Sequence, residues 1–464
     1  MKTNSLDFDA QALREKILDL AMRGKLVKQD PNDEPASVLL EKIKAEKEEL
    51  VREKKIKKRE LNLPKFDKPS DLPAGWVITK LKEITTPLSL NDGDWILSKN
   101  MSDKSEIKLI QLGSIGYGKY INKGFKYITN DTFDELNCTQ IKPGYLLINR
   151  LINKNRLMTT ILPDIDGKLI TAVDICWIAP SEEFDQEFMM YQLMSPEFQK
   201  RVNKLASGST RKRISKGNLI NIPICLPPLE EQSRIAAKIA QLFALLRKVE
   251  SSTQQYAKLQ TLLKSKVLDL AMRGKLVEQD PNDEPASVLL EKEGLKESNE
   301  IPHQIPNSWS WIVLGSGAKF INGRAYKKSE LLNDSSLTPI LRVGNLFTNS
   351  SYYYSDLKLN PDKYIDNGDL IYAWSASFGP QIWTGGHVIY HYHIWKVIPK
   401  QIIEKQFLYY FLLDKRNVIG ETDLHGSTMK HITKTNMEHL SFPLPPLSEQ
   451  KRIVKKINFL LEIL

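Results

Sequence analysis

Between Pro227 and Met272 the apolar residues keep one repeat: Ile235, Ile239, Leu242, Leu246, Val249, Tyr256, Leu263, Val267 and Leu270, with Thr253 and Gln260 in two polar slots. No proline or glycine interrupts the run from Leu229 onward. Spacings of four and three alternate, and this 3.5-residue period predicts a long helix whose apolar seam faces a partner helix. At ~1.5 Å per residue, that helix should be roughly 60 Å long.

The partner is expected in two pieces of the same chain. Residues 17–42 recur as 267–292, with only Ile17/Val267 and Lys28/Glu278 differing. The seam extends back, since Leu6, Leu13, Ile17 and Leu20 occupy the places of Tyr256, Leu263, Val267 and Leu270. Pro227-Pro228-Leu229-Glu230-Glu231-Gln232-Ser233-Arg234-Ile235 recurs as Pro445-Pro446-Leu447-Ser448-Glu449-Gln450-Lys451-Arg452-Ile453. After it, Ile453, Ile457, Leu460 and Leu464 repeat Ile235, Ile239, Leu242 and Leu246. The two termini together rebuild the central element. The predicted plan is cyclic and pseudo-two-fold, with the intact helix antiparallel to a split one and the termini close together.

Other helices follow from composition and breakers. Residues 1–27 read as a helix ended by Gly24, and Asp30–Pro35 as a turn and helix entry. Residues 36–60 read as a charged helix ending in the basic run Arg52–Arg59, a solvated face or a contact surface.

Segments 63–226 and 301–444 share little sequence but carry markers in the same order. Pro73, Trp76, Gly113, Gly144, Phe188 and Tyr191 match Pro306, Trp309, Gly344, Gly368, Phe407 and Tyr410. Expected strands at Tyr145–Asn149, Leu169–Ile178, Asp369–Trp374 and Val388–Val397 precede expected helices at Phe184–Met194 and Glu404–Leu413. The fold class predicted is α+β, with two similar domains separated by long antiparallel paired helices. The expected boundaries are 1–62 (helical), 63–226 (first domain), 227–300 (helical), 301–444 (second domain) and 445–464 (helical).

Composition alters this picture little. A chain of 464 residues with 41% hydrophobic and 26% charged residues can bury more than one core. The net charge of +10 and pI near 9.1 favour a polyanionic partner. Cys138, Cys176 and Cys225 stand at unrelated spacings, which suits a reducing cytoplasm rather than a disulfide framework or zinc site. The polar, acidic start of the chain does not read as a signal peptide, and no apolar run approaches membrane-spanning length.

Three features carry a more specific resemblance: the paired Pro-Pro-Leu-x-Glu-Gln-x-Arg-Ile motifs, the Gly-Ser-Thr motifs at 208–210 and 426–428, and the Leu-Asp-Leu-Ala-Met-Arg-Gly-Lys-Leu blocks at 18–26 and 268–276. With them the chain resembles, over nearly its whole length, the DNA-specificity subunits of Type I restriction–modification enzymes. In many members the second helical region follows the second domain intact; here it is divided between the termini. The resemblance implies two target-recognition domains, each reading half of a bipartite, asymmetric site on double-stranded DNA. It implies helices that set the unread spacer and dock two methyltransferase and two restriction subunits. It further implies no catalysis and no cofactor in this chain, with S-adenosylmethionine, ATP and magnesium belonging to the partners. A competing reading is a coiled-coil scaffold joining two protein-binding domains.

The residues agree by absence: there is neither an Asn-Pro-Pro-Tyr methyltransferase motif nor a phosphate-binding Walker loop. Leu314-Gly315-Ser316-Gly317 reads as an ordinary turn after a strand, and Pro163–Lys168 as a hairpin turn. His387, His391 and His393 would share a strand face suited to zinc, but their counterparts at 391 and 393 are Ala172 and Asp174. In the Gly-Ser-Thr-x-Lys-x-Ile-x-Lys loops, Ser209, Thr210, Lys212 and Lys216, with Ser427, Thr428, Lys430 and Lys434, suit phosphate contact or a tight turn. Base reading is expected where the copies differ, at Arg150, Lys154 and Arg156 against Trp374 and Ser375. Partner docking is expected at the repeated Glu231, Gln232, Arg234, Glu449, Gln450 and Arg452, and at Arg23, Lys25, Arg273 and Lys275.

Overall fold

The structure, a computed structural model, describes residues 8–58, 61, 72–209, 211–347, 351–375, 379–414 and 432–464. Two compact units divide it, one of residues 6–252 and one holding 253–464. The helix Leu229–Met272 runs unbroken through the boundary, 44 residues long or ~66 Å.

In the first unit the helix Ala10–Met22 places Leu18, Ala21 and Met22 in one core with Ile235, Ala236, Ile239 and Phe243 of the long helix. Arg14 donates to both carboxylate oxygens of Glu250 at 2.9 and 2.5 Å, and Gln29 donates to Glu231 at 2.7 Å. Partner numbers fall along one segment as they rise along the other. In the second unit Leu268, Ala271 and Met272 share a core with Ile453 and Ile457 of the helix Leu447–Ile463. There Gln260 donates to the Leu464 carbonyl and Gln279 to Glu449.

The seam is buried only towards its two ends. Val249, Tyr256 and Leu263 are 44%, 56% and 47% exposed, against the expectation of a seam covered throughout. At the first end burial steps from Ile235 to Ile239 to Phe243, with Leu242 only half-buried. A helix docked along a domain follows its own near-3.6 period, and the strict 3.5 seam drifts off that line.

The helix ends obey the glycine expectation. Gly24 has φ +65°, and Gly24 N–H and Lys25 N–H donate to Ala21 O and Leu20 O, the double bond pattern of a left-handed C-terminal cap. A Cβ on Gly24 would meet Pro73 Cγ at 2.2 Å, and one on Gly274 would meet Pro306 Cγ at 2.3 Å. The charged helix Ala36–Arg52 stops earlier than expected, with Lys54 at φ +60°, so most of the described basic run lies beyond it.

Each unit holds an α+β domain of the same design. A two-stranded ribbon closes each, Val77–Lys80 with Pro223–Leu226 and Ser310–Val313 with Ser441–Leu444, all antiparallel. Next comes a four-stranded antiparallel sheet. Its order is Leu90–Asp92, Ile175–Ile178, Leu146–Asn153, Arg156–Ile161 in the first unit. In the second it is Ala318–Asn322, Ile394–Pro399, Leu370–Ala373, Gly379–Ile382. A further sheet contains one parallel pair in each copy, Ile107–Ile110 with Lys168–Thr171 and Thr338–Leu341 with Val388–Tyr390. Helices Gln186–Met194 and Lys405–Leu413 follow, capped by Asp185 and Glu404 accepting from Phe188 N–H and Phe407 N–H.

Two sequence expectations fail at one kind of place. The stretches expected as single strands at 169–178 and 388–397 are each two strands in different sheets, broken by turns at 172–174 and 391–393. His387, His391 and His393 therefore share no strand face. Residues 162–167 likewise join strands of different sheets and form no hairpin.

Candidate nucleic-acid interface

The Pro-Pro motif builds an internal clamp, and builds it twice. Glu231 accepts from Trp76 Nε1 at 2.9 Å and from Gln29 at 2.7 Å. Gln232 accepts from Asp185 N–H at 3.0 Å and donates to Pro227 O at 3.0 Å, while Arg234 grips Asp33 through two bonds of 3.1 and 2.5 Å. In the second unit Glu449 takes Trp309 Nε1 at 2.9 Å and Gln279 at 2.5 Å. Gln450 accepts from Glu404 N–H at 2.7 Å and donates to Pro445 O at 2.9 Å, and Arg452 grips Asp283 at 3.1 and 2.7 Å. Burial raises the pKa of both glutamates, opposed by the Trp and Gln donors.

This corrects the docking expectation for Glu231, Gln232, Glu449 and Gln450, which are at most 1% exposed. Their polar atoms are spent joining the helix start to the domain, and Arg234 and Arg452 are likewise engaged within their units. Arg23, Lys25, Arg273 and Lys275 are exposed, with Arg23 and Arg273 each held to an aspartate one turn earlier, Asp19 and Asp269, at 2.8 Å. Glu231→Ala should orphan the Trp76 N–H and destabilise the first unit by about 1–3 kcal/mol. Urea unfolding of the full chain checks this, with Glu231→Gln expected to recover most of the loss.

Of the expected DNA contacts, the structure brings Lys154, Ser209 and Lys212 together. The strands Leu146–Asn153 and Arg156–Ile161 turn through Lys154 and Asn155 at φ +47° and +61°. The loop after Ala206 lies against this hairpin: Ile152 N–H donates to Lys212 O at 2.9 Å and Ile214 N–H to Arg150 O at 3.0 Å. Gly208, at φ +113°, has no room for a Cβ, which would meet Arg211 O at 2.5 Å. Between the two loops lies an open groove of about 460 Å³, lined by Asn149, Asn153, Lys154, Asn155, Ser209, Arg211 and Lys212. Arg211, Asn153 and Asn155 were not expected from sequence, which points only to the repeated motif positions and to the divergent Arg150, Lys154 and Arg156.

Three expected contacts point elsewhere. Arg150 is 3% exposed; its Nε faces Asp92 at 2.9 Å, Nη2 donates to Val173 O at 2.6 Å and Nη1 to Ile214 O at 3.3 Å. It ties the turn at Val173 and the segment at Ile214, beside the groove, to Asp92, and at 3% exposure its guanidinium is not presented to a base. Arg156 pairs with Glu15 at 3.0 Å and stacks over Tyr117, its guanidinium 5.1 Å from the ring centre. Lys216, half-buried, donates to Asn91 at 2.7 Å. Thr210 lies outside the described residues.

In the second unit Ser427, Thr428 and Lys430 lie outside the described residues. Lys434 is exposed at the start of the helix Lys434–Glu438, 3.5 Å from Glu438. Ser375 is buried at 9% exposure. Trp374 Nε1 donates to Tyr392 O at 2.9 Å, the counterpart of the Arg150 bond to Val173 O. An indole and a guanidinium thus do one structural job, which corrects the base-reading expectation for Arg150, Trp374 and Ser375. His387 is hydrogen-bonded to Asp366 at 2.6 Å and stacked on Tyr364, while the His391 and His393 rings lie 4.9 Å apart. Among the described residues no group of three or more His, Cys, Asp or Glu is placed to hold a metal. No helix among them is long and apolar enough to cross a membrane.

Comparison with known proteins agrees with the duplication. The model of the Type I restriction modification DNA specificity domain matches residues 73–260 and again 306–462. The specificity subunit of the Type I restriction enzyme EcoAI of Escherichia coli is 29% identical across 98% of this chain and 89% of its own length. Among solved structures, the HsdS subunit from Thermoanaerobacter tengcongensis is similar in fold at 19% identity, covering 86% of this chain and 92% of that one with a TM-score of 0.51. A chain from a type I R-M system structure reaches a TM-score of 0.60 at 21% identity over 85% of this chain and 92% of its own. With the family pattern matched once in each unit and over most of the sequence, the chain belongs to the Type I restriction–modification DNA-specificity family.

Proposed function

We propose that this chain is the sequence-reading subunit of a Type I restriction–modification enzyme and carries no catalytic step itself. The observation that carries the reading is the duplicated clamp: one helix-to-domain joint, with the same Glu–Trp, Glu–Gln, Gln–Pro and Arg–Asp bonds in both copies, presenting two domains whose exposed loops differ. Two unlike readers on one joint suit a bipartite, asymmetric DNA site, each domain taking one half. The long helix would set the unread spacer as one arm of a pseudo-two-fold arrangement. Its exposed middle, with Arg23, Lys25, Arg273 and Lys275, would dock two methyltransferase and two restriction subunits in the cytoplasm. S-adenosylmethionine, ATP and magnesium would belong to those partners.

The basic groove of the first unit suits phosphate contact, which positions a domain without reading sequence. Lys154→Ala and Lys212→Ala should each weaken binding almost equally on all duplexes and reduce the slope of log K against log salt by about one. A salt titration of binding checks this.

The decisive experiment is a gel-shift and methyl-transfer series with the full chain, with and without its methyltransferase partner. The chain alone should transfer no methyl group, and the complex should prefer one bipartite sequence. Equal binding to every duplex by the complex would favour the scaffold reading instead, and methyl transfer by the chain alone would overturn both.

A further inference from the structure

In the second unit the turn His391-Tyr392-His393 is held from both sides. His391 N–H donates to Leu341 O at 2.9 Å, Tyr392 N–H to Arg324 O at 3.1 Å and Ile394 N–H back to His391 O at 3.0 Å. From the neighbouring strand end, Trp374 N–H donates to His393 O at 3.1 Å and Trp374 Nε1 to Tyr392 O at 2.9 Å. Side chains on so fixed a backbone lose little conformational freedom when they meet a ligand, which is the condition for selective recognition.

Those side chains form a compact ring set. Tyr392 and His393 centroids are 3.9 Å apart, His391 and Tyr392 4.5 Å, and the edge of Trp374 meets His393 at 4.9 Å. Tyr392 is 38% exposed. Arg342 stacks over Tyr353 at 4.5 Å. Burial, with the charges of His393 and Arg342, pushes His391 down to about 4, so at neutral pH its imidazole is uncharged. A neutral imidazole offers one donor and one acceptor, and a guanidinium offers a fork of donors. The imidazole acceptor has nothing to bond on a phosphate, whereas base edges in the major groove present donors as well as acceptors.

The first unit says which face this is. Its counterpart turn is Ala172-Val173-Asp174: a Cβ on Gly93 would meet Ala172 O at 2.4 Å, just as one on Gly323 would meet His391 O at 2.4 Å. That turn adjoins the basic groove, because Arg150 N–H donates to Asp174 O at 2.9 Å and Arg213 Nε faces Asp174 at 2.9 Å. The backbone frame is shared and the side chains upon it are entirely different, as two half-sites of unrelated sequence require.

We infer that the turn His391-Tyr392-His393, together with Arg342, reads base edges in the half-site of the second recognition domain. This rests on the proposed DNA-reading function. The test is selection and sequencing of randomised duplexes by the full chain assembled with its methyltransferase partner. His391→Ala and Tyr392→Ala should each lose roughly tenfold or more discrimination at one or two positions of a single half-site. The other half-site and non-specific affinity should stay unchanged, and Tyr392→Phe should keep most of the discrimination. Tyr392 is exposed, so its variants decide the matter if His391→Ala does not fold. Unchanged selection by a folded Tyr392→Ala, an equal loss on all sequences, or a change in both halves would each overturn the inference. Absence of any preference in the unaltered complex would instead defeat the functional reading beneath it.

Discussion

Arg150→Ala is expected to destabilise the first unit by about 3 kcal/mol, because it takes a buried guanidinium away from a half-buried carboxylate and two backbone carbonyls. Asp92 is half-buried; burial raises its pKa, and Arg150 and Lys216 pull it back down. Removing the guanidinium leaves that carboxylate with only the more weakly coupled Lys216 and Arg213 as counter-charges, and the carbonyls of Val173 and Ile214 without their donor. Ile214 follows the loop after Ala206 that flanks the basic groove, and Val173 lies in the adjoining turn, so DNA binding should fall together with stability. Lys154→Ala, by contrast, should lower binding and leave unfolding unchanged, since Lys154 is exposed at the hairpin tip. Urea unfolding paired with a binding titration separates the two. The double change Arg150→Met with Asp92→Leu should recover much of the lost stability, as buried ion pairs replaced whole by apolar side chains often do. If Arg150→Ala unfolds like the unaltered chain, the residue is not the tie that its geometry indicates.

Repetition made the architecture legible, and burial decided what repetition could not. Two copies of one motif order, with β-rich stretches such as 145–149 and 369–374 between turns, pointed to two α+β domains and the helical elements between them. The same repetition misled at Glu231 and Gln232. A motif kept in both copies signals a shared constraint, and here the constraint is an internal joint to Trp76 and Asp185 rather than a docking surface. Difference between copies misled in the opposite direction at Arg150 and Trp374, two unlike residues that reach the same backbone carbonyl position. The turns at 172–174 and 391–393 were hidden because apolar β-branched and aromatic residues flank them on both sides, so the run read as one strand. Lys154 is singled out by the difference between the copies and Lys212 by the repeated Gly-Ser-Thr motif, and the structure brings both to one groove. Arg211 and Asn155 needed the hairpin and the loop to be seen side by side.

The helix Leu229–Met272 offers the other large effect, because in the proposed reading its length sets the unread spacer. Four residues inserted between Val249 and Thr253 lengthen it by about 6 Å, slightly under two base pairs of B-DNA. The same insertion turns everything beyond by about 400°, one full turn plus 40°. This part of the helix tolerates such a change, since residues 251–259 are exposed and the cores engage the helix only towards Ile235 and Leu268. The clamps at Glu231 and Glu449 lie far from the insertion in sequence and should keep both domains intact. The expected outcome is therefore two unchanged half-sites separated by a spacer one or two base pairs longer, read by sequencing the methylated positions. Val249→Pro removes a helix hydrogen bond and clashes with the preceding turn, at about 3 kcal/mol or more. It should abolish binding to the bipartite site while each half-site remains readable by its own domain. An insertion variant that keeps the original spacer at full activity would show that the helix serves only to dock partners.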